Sequence, residues 1–438
     1  MKWSKFNILF KISEFNFLYN SKSNSFFKLE NDLYREISLL ESGEKAIDSL
    51  SPETYELLKS KDIIVGDYDD ENFISQMLFL KRKTQFNGTT LGLVIAPTLG
   101  CNFRCPYCYE SGLPSNRMKA DVQEQLLEFI NLHKIRTKDL SIYWHGGEPL
   151  LAFNTMKSLF YKIREKSEIP VNGHRMVTNG YLFNLKMCSF FKETNLNYVQ
   201  ITVDGTEETH NANRIHKSGV PTYQKIIENI DMITDEMPNC KVGVRVNIHN
   251  DNKWDYPNIY YELSERWKGK NCSVYPAFVI PQTGCKVSCL SSTEKMHFYT
   301  ELYRKYNFKD LKLKPSIKSG ACSAIYEHHY IIDPEGFLFK CWADFGLEDR
   351  KIGHISSGIT NWKFVSEYMV NSDKFVDEKC LKCRVFPICE GGCNRFRVDK
   401  NYLNIPYNVC PIDETGLIDY LRIIYEQTIK NEELRINN

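Results

Sequence analysis

Six short apolar segments alternate with six amphipathic segments between Leu91 and Asn307 of this 438-residue chain. The apolar segments have the length of strands, and the segments between them repeat apolar residues with the period of a helix. Six consecutive strand–helix units predict a parallel sheet, curled or open, with ligand chemistry at the carboxyl ends of its strands. The predicted strands are 91–97, 140–145, 174–178, 198–203, 241–248 and 272–279, and the predicted helices are 119–134, 153–166, 182–193, 222–235, 253–266 and 294–307.

The sequence on either side of this α/β repeat has a different character, which predicts separate domains. The first 85 residues contain two strand-like runs about a polar turn, a helix ending at Gly43, and a helix with Ser51 as its N-cap and Pro52 at its first position. This order is winged-helix-like, although a simple N-terminal embellishment is an equal alternative. Beyond about residue 315 a hairpin around 333–336 precedes loop-rich, cysteine-rich sequence and a final helix. The predicted domains are 1–85, 86–310, 311–412 and 413–438.

Composition and charge argue against several classes of protein and partner, although local patches of one charge stay possible. Lysine and arginine total 56 against 55 aspartate and glutamate, which leaves no excess charge to attract nucleic acid or an anionic membrane. No apolar run approaches the ~20 residues of a membrane span, and the N-terminus lacks the cleavage site of a signal peptide. We therefore expect a cytoplasmic protein, in which fifteen cysteines indicate metal binding rather than disulfides.

Three of these cysteines follow the first predicted strand in a C-x3-C-x2-C motif. They are Cys101, Cys105 and Cys108. A structural zinc site uses four ligands, whereas a [4Fe–4S] cluster held by three thiolates keeps one iron open to a small chelating molecule. The aromatic Tyr107 could pack against a planar ring of that molecule. A zinc loop completed from elsewhere in the chain stays open as an alternative.

Polar and glycine-containing loops follow the next three predicted strands. The second strand ends in Gly146, Gly147, Glu148 and Pro149, the third in Asn179 and the fourth in Asp204. Two glycines allow backbone to approach a ligand closely, and a carboxylate suits a bound ammonium group. Each loop alone is ordinary turn chemistry, but their register with the cysteine triad favours a ligand site.

These motifs resemble those of the radical S-adenosylmethionine (radical SAM) enzymes over roughly residues 91–280, and the resemblance implies a partial (β/α)6 barrel similar to a TIM barrel. The resemblance implies that the triad holds a [4Fe–4S] cluster and that SAM chelates its open iron. It implies that the Gly146–Pro149 loop, with Glu148, lies near the methionine amino group, and that Asn179 and Asp204 lie by the ribose or methionine end. It also implies that Arg214 meets the SAM carboxylate, with which guanidinium pairs bidentately. The implied reaction is reductive cleavage of SAM to a 5′-deoxyadenosyl radical, which takes a hydrogen atom from the substrate.

Seven further cysteines near the C-terminus resemble the SPASM extension, which carries two auxiliary [4Fe–4S] clusters. The resemblance implies one cluster on Cys380, Cys383, Cys389 and Cys410, and another on Cys322, Cys341 and Cys393. The second is either open at one iron or completed by Cys285 or Cys289. Three [4Fe–4S] clusters in total are expected, with a pair of zinc ribbons as the alternative.

The substrate class follows from two departures from the anaerobic sulfatase maturases. Trp342 stands where they have an aspartate, with Asp344 only a weak substitute, and about 100 residues precede Cys101. That leading segment resembles the peptide-recognition element of ribosomal peptide maturases, which adds a leader peptide as a strand.

The sequence as a whole therefore predicts a maturase of a ribosomally made precursor peptide. It would install an oxidative thioether or carbon–carbon cross-link, with electrons from an external low-potential donor such as flavodoxin or ferredoxin. Sulfatase-type oxidation of Ser or Cys to formylglycine is the enzyme alternative. An iron–sulfur electron carrier or a zinc-stabilised peptide-binding module is the non-enzyme alternative, which the GGEP loop disfavours.

Overall fold

The computed structural model describes residues 1–281, 285–308, 315–318, 322–412 and 414–436, with backbone only for 429–436. Positions 311 and 413, where two predicted domain boundaries fall, lie outside the described residues. The chain divides into two compact units. We call Phe86–Leu290 with Ser323–Ser366 the sheet unit, and Met1–Gln85, Ser291–Cys322 and Glu367–Asn438 the cysteine unit. The domain limits read from the sequence stay predictions.

Strands and helices of both units are numbered here in chain order. The strands are β1 Lys2–Trp3, β2 Asn7–Ile12, β3 Phe15–Asn20, β4 Ser25–Leu29, β5 Ile64–Val65, β6 Thr90–Ile95, β7 Asp139–Trp144, β8 Val171–Thr178, β9 Leu196–Val203, β10 Lys241–Ile248, β11 Cys272–Phe278, β12 His329–Ile332, β13 Phe337–Phe339, β14 Gly353–His354 and β15 Gly358–Ile359. The helices are α1 Asn31–Ser42, α2 Pro52–Ser60, α3 Asp69–Gln85, α4 Ala120–Leu132, α5 Phe153–Lys166, α6 Leu185–Glu193, α7 Glu207–Asn213, α8 Tyr223–Glu236, α9 Tyr256–Arg266, α10 Ser292–Tyr306, α11 Trp362–Ser366, α12 Glu378–Leu381, α13 Asn394–Asn401 and α14 Glu414–Ile436. No helix in the described ranges is long and apolar enough to cross a membrane.

The sheet unit is built on one sheet in which the six predicted strands are parallel neighbours in chain order. The strand order is β11-β10-β9-β8-β7-β6-β12-β13-β14-β15. Five of the predicted helices follow their strands as α4, α5, α6, α8 and α9, and the sixth, α10, belongs to the cysteine unit. The predicted α/β class with a parallel sheet is therefore confirmed. The sequence did not predict that β12 joins this sheet parallel to β6, with β13 to β15 antiparallel beyond it.

The burial of the strands explains why their positions could be predicted from apolar runs in the sequence. Strands β6 and β10 are buried over nearly their whole length, as expected for parallel strands covered on both faces. The helices are amphipathic, and α4 buries Leu126 and Ile130 on one side. Such an arrangement places every β-to-α loop at the carboxyl edge of the sheet, where the cysteine triad and the glycine loop begin.

The cysteine unit contains an antiparallel sheet of order β2-β3-β4. The predicted hairpin is confirmed as β3 and β4, and the charges that interrupt residues 1–12 hid the third strand, β2. As predicted, α1 ends at Gly43 with φ of 77°, and the Ser51 side chain caps α2 by accepting from Thr54 N at 3.2 Å. One face of this sheet packs on the cysteine-rich region and on α14, in a cluster of Ile8, Phe10, Ile12, Phe17, Tyr19, Val385, Ile388, Leu417 and Leu421. The winged-helix interpretation stays a prediction.

The glycines after β7 let that loop lie directly on the backbone of the cysteine loop after β6. A Cβ atom at Gly146 would lie 2.3 Å from the Thr98 carbonyl oxygen, and one at Gly147 would lie 2.4 Å from that of Leu99. Glu148 N donates to the Gly100 carbonyl at 2.8 Å. Close backbone approach, rather than turn geometry alone, is therefore what requires glycine at these two positions.

We expect Gly147→Ala to destabilise the sheet unit and to lower its iron content. The added methyl group overlaps two backbone carbonyls, and overpacking of this kind costs about 1–3 kcal/mol. The matched control is Gly219→Ala, where φ is +81° and no described heavy atom lies within 4 Å of the added Cβ. Its cost is only the left-handed backbone strain of about 1–2 kcal/mol. Denaturant unfolding and iron analysis of both variants check the prediction, and iron loading equal to that of the control would contradict it.

Candidate active site

The three cysteines of the triad lie half-buried in the loop between β6 and α4. Backbone hydrogen bonds hold this loop on two sides. On one side Glu148 N bonds Gly100 O, and on the other Arg104 N donates to Ile215 O at 2.9 Å and Lys217 N to Asn102 O at 2.8 Å. The loop is thus anchored to the segments that follow β7 and α7.

Burial raises the pKa of all three thiols, to about 12 for Cys101 and Cys108. Thiols in such surroundings are protonated at neutral pH, so a bound metal group must displace their protons. Among the described residues, no three His, Cys, Asp or Glu side chains converge closely enough for a single metal ion. In a [4Fe–4S] cluster each thiolate binds a different iron, so its cysteines need not converge on one point.

The Glu148 carboxylate is completely buried and joins the loops after β7 and β8. Its Oε1 accepts from Leu150 N at 3.0 Å and from Thr178 Oγ1 at 2.7 Å, and its Oε2 accepts from Asn179 N at 2.8 Å. Burial raises the pKa of this carboxyl, and the three hydrogen bonds oppose that rise. Sequence reasoning expected Glu148 to face a ligand, whereas much of its hydrogen-bonding capacity is used within the protein.

Three residues predicted separately to bind a cofactor meet in one buried group. Tyr107 Oη donates to Asp204 Oδ2 and accepts from Arg214 Nη1 at 3.1 Å. In the described part of the chain, Asp204 Oδ1 and Arg214 Nε have no hydrogen-bond partner. Buried charged groups without full pairing are costly, so these atoms fit a ligand that brings both donors and acceptors. A zwitterionic amino acid with ribose hydroxyls, as in SAM, has that chemistry.

Asn179 connects the loop after β8 to the cysteine loop. Its Nδ2 donates to Asn102 Oδ1 at 2.7 Å, and its Oδ1 accepts from Tyr181 N at 2.9 Å. The Asn102 Nδ2 atom is buried and has no partner among the described residues. Sequence reasoning missed Asn102, although its place between two cysteines of the triad was a usable signal.

A second polar group beside the triad was also missed. His145 Nε2 lies 3.2 Å from Tyr109 Oη, and His145 Nδ1 lies 3.4 Å from Glu110 Oε1. The indole of Trp342 packs edge-on against the imidazole, with ring centroids 4.8 Å apart. Their positions in the sequence were a usable signal, because Tyr109 and Glu110 directly follow Cys108 and His145 directly precedes Gly146.

Six of the seven C-terminal cysteines belong to the cysteine unit, and Cys341 belongs to the sheet unit. Burial raises the pKa of Cys383, and the charge of Cys410 raises it further. Burial also raises the pKa of Cys389 and of Cys393. The charge of Cys383 adds to the rise at Cys389, and the charge of Cys322 adds to the rise at Cys393. Within this unit, the charges of members of each predicted set therefore influence one another. In the sheet unit, the alternative ligands Cys285 and Cys289 lie with their Sγ atoms 3.9 Å apart.

The sequence profile of the radical SAM superfamily matches residues 95–261, which span β6 to α9 and contain the triad and its three neighbouring loops. The chain is 24% identical over 340 residues to a cysteine-type anaerobic sulfatase-maturating enzyme of Clostridium novyi, covering 70% of this chain and 88% of that one. It is 21% identical over 436 residues to the radical SAM cyclopropyl synthase TigE of Paramaledivibacter caminithermalis, covering 93% of this chain and 87% of the synthase.

Two solved structures share the fold. The structure of anSMEcpe with bound AdoMet matches with a TM-score of 0.60 and 18% identity, covering 80% of this chain and 96% of that one. Streptococcus suis SuiB bound to its precursor peptide SuiA matches with a TM-score of 0.52 and 14% identity, covering 94% of this chain and all of SuiB. The profile match, the parallel sheet and the triad at its carboxyl edge agree, and residues 95–261 form a radical SAM domain.

Proposed function

We propose that this enzyme is a cytoplasmic maturase that installs an oxidative cross-link in a ribosomally made precursor peptide. The observation that carries the radical chemistry is the convergence of the triad with the buried Tyr107–Asp204–Arg214 group. Two further features support the peptide substrate: the antiparallel sheet of the cysteine unit and the seven C-terminal cysteines. TigE is named a cyclopropyl synthase, and SuiB was solved with a precursor peptide.

In this proposal Cys101, Cys105 and Cys108 hold the [4Fe–4S] cluster, and SAM lies against the loops after β7, β8 and β9. Arg214 pairs with its carboxylate, Asp204 and Asn179 accept or donate hydrogen bonds at its polar end, and the Gly146–Pro149 backbone borders its amino group. Bound together, cluster and SAM supply a 5′-deoxyadenosyl radical that removes a hydrogen atom from the peptide. Glu148 acts as a positioning residue, because its carboxylate holds two of these loops together.

The C-terminal cysteines are proposed to hold two auxiliary [4Fe–4S] clusters. Closing a cross-link between a carbon radical and a second X–H group would release one proton and one electron, and the auxiliary clusters, when bound, would supply the acceptor for that electron. An external low-potential protein such as flavodoxin or ferredoxin supplies the electron that starts each turnover. Cys380, Cys383, Cys389 and Cys410 ligate one cluster, and Cys322, Cys341 and Cys393 ligate the other.

Sulfatase-type oxidation is the second candidate, supported by the similarity to sulfatase-maturating enzymes. Two observations weigh against it. Trp342 stands where a proton-accepting aspartate is expected, and its Nε1 donates to Ser323 Oγ at 3.0 Å. The substitute carboxylate of Asp344 is fully buried and lies 3.9 Å from Arg350 Nη1, so its charge is already paired.

We expect Arg214→Gln to weaken SAM binding about ten- to hundredfold. A hydrogen bond to a charged group contributes about 1.5–3 kcal/mol, and every 1.4 kcal/mol is tenfold in affinity. The matched control is Arg104→Gln, which removes the same charge from an exposed position on the cysteine loop. Equilibrium binding of SAM to the reconstituted proteins measures both. Equal affinities of the two variants would remove Arg214 from the SAM site.

We expect each modified site of the precursor peptide encoded beside this gene to lose the mass of two hydrogen atoms. The reaction needs the reconstituted enzyme, SAM and a reductant under anaerobic conditions, and replacing Cys101, Cys105 or Cys108 by Ala abolishes it. Cys188→Ala is the control, since this thiol is buried in α6 away from the triad. An unchanged peptide despite 5′-deoxyadenosine formation would refute the substrate, and no deoxyadenosine from cluster-loaded protein would refute the radical step.

We expect the leader region of that peptide to protect the backbone amides of β4 from hydrogen exchange. Strand β4 is at an edge of the sheet and pairs only with β3 among the described strands, so its outer edge can accept an added strand. The central strand β3 serves as the internal control, because its amides are already paired on both sides. Protection confined to other segments, or none at saturating peptide, would exclude strand addition at this edge.

A further inference from the structure

One arginine of the cysteine unit donates a hydrogen bond to a predicted cluster ligand. Arg397 lies in α13 with its side chain buried, and its Nη2 is 3.0 Å from Cys380 Sγ. Its Nη1 donates to Asp377 Oδ2 at 2.9 Å, and its Nε donates to the Gly391 carbonyl. All three guanidinium nitrogens are therefore bonded, and one of them is directed to the sulfur.

The position of this guanidinium is set by a residue that also positions the ligand. Asp377 accepts from Lys379 N at 2.9 Å and from Cys380 N at 3.3 Å through Oδ1, which caps the N-terminus of α12. Its other oxygen holds Arg397. The carboxylate thus links the helix that carries Cys380 to the cation that contacts its sulfur, and the fork geometry of arginine suits this double role.

A second buried cation adjoins another ligand of the same set. Lys374 Nζ donates to the carbonyls of Cys389, Phe386 and Lys318 at 2.7, 2.9 and 3.0 Å. Its three protons are thereby used on backbone oxygens, and none of the described carboxylates forms an ion pair with it. The neighbouring Asp373 carboxylate is instead shared by Lys81 and Arg82, each at 3.0 Å.

A purely structural role explains the bonds of Arg397 to Asp377 and Gly391, but it does not explain the bond to sulfur. A neutral thiol is a weak acceptor, and burying a guanidinium beside it brings little compensation for the desolvated charge. A thiolate that carries part of the negative charge of an iron–sulfur cluster is a strong, charge-assisted acceptor. The contact therefore suits the cluster-bound state of Cys380.

We propose that Arg397, supported by Lys374, raises the reduction potential of the auxiliary [4Fe–4S] cluster held by Cys380, Cys383, Cys389 and Cys410. This inference rests on the proposed function, which supplies that cluster. Reduction adds one negative charge, and buried cations with N–H donors to sulfur stabilise the reduced state more than the oxidised one. The cluster thereby accepts an electron more readily, as a receiver of the electron released during cross-link closure requires.

The test is a redox titration of reconstituted full-length protein, followed by electron paramagnetic resonance. A background in which Cys101, Cys105 and Cys108 are all Ala removes the signal of the SAM-binding cluster. We expect Arg397→Gln to lower the reduction potential of one of the two auxiliary clusters. The reduction equilibrium constant should fall at least tenfold, which corresponds to about 59 mV for one electron. Arg397→Lys keeps the charge but not the fork, so it should give a smaller shift in the same direction.

The matched control is Arg384→Gln, next to Cys383 in sequence. Arg384 is partly exposed and pairs with Glu41 at 3.2 Å, so solvent screens the loss of its charge and neither transition should move. If Arg397→Gln loads less iron, Arg397→Lys and Lys374→Met provide the measurement. Unchanged potentials in loaded variants, or equal shifts in the Arg384 control, would overturn the inference.

The titration and the peptide assay separate the two proposals. A triple-alanine background that holds no iron–sulfur cluster would overturn this inference and the auxiliary clusters together. Shifted potentials in an enzyme that leaves its peptide unmodified would uphold the role of Arg397 while refuting the proposed function.

Discussion

The candidate active site depends on the hydrogen bonds of the buried Glu148 carboxylate. Three donors from two loops converge on it, one of them the backbone amide of Asn179. The amide of Glu148 itself bonds the cysteine loop through Gly100. Because all these groups are buried, losing any partner would leave an unsatisfied polar atom, which costs about 1–3 kcal/mol. The loops after β6, β7 and β8 are therefore held as one assembly by this residue.

Glycine and carboxylate have complementary tasks in this assembly. The absence of side chains at Gly146 and Gly147 lets the loop after β7 touch the backbone of the cysteine loop, and Glu148 then anchors it to the loop after β8. The Gly146–Pro149 motif, which the sequence predicts to bind a ligand, is thus also a packing motif. Within the described part of the chain, the buried polar atoms that still have no hydrogen-bond partner include Asp204 Oδ1, Arg214 Nε and Asn102 Nδ2.

The cysteine unit combines buried thiols with buried positive charge. The loops between α12 and α13 contain little regular structure. Burial raises the pKa of the thiols of Cys380, Cys383 and Cys389. Arg397 and Lys374 place buried positive charge beside Cys380 and Cys389, which favours the anionic form of these thiols. The antiparallel sheet packs on the same region through Ile8, Phe10 and Val385, so the N-terminal strands and the cysteine-rich loops share one core.

The sequence by itself determined the β/α order, the element bounds to within a few residues, and the identity of the triad and its neighbouring loops. Those features are local, because strand and helix periods, glycine spacing and cysteine spacing can be read without knowing distant contacts. Tertiary structure alone decided that β12 joins β6, that Tyr107 meets Asp204 and Arg214, and that Glu148 is used inside the protein. It also decided that Arg397 reaches Cys380. Each of these pairings joins residues far apart in sequence or on different elements, and no local period records which distant side chains share a buried site.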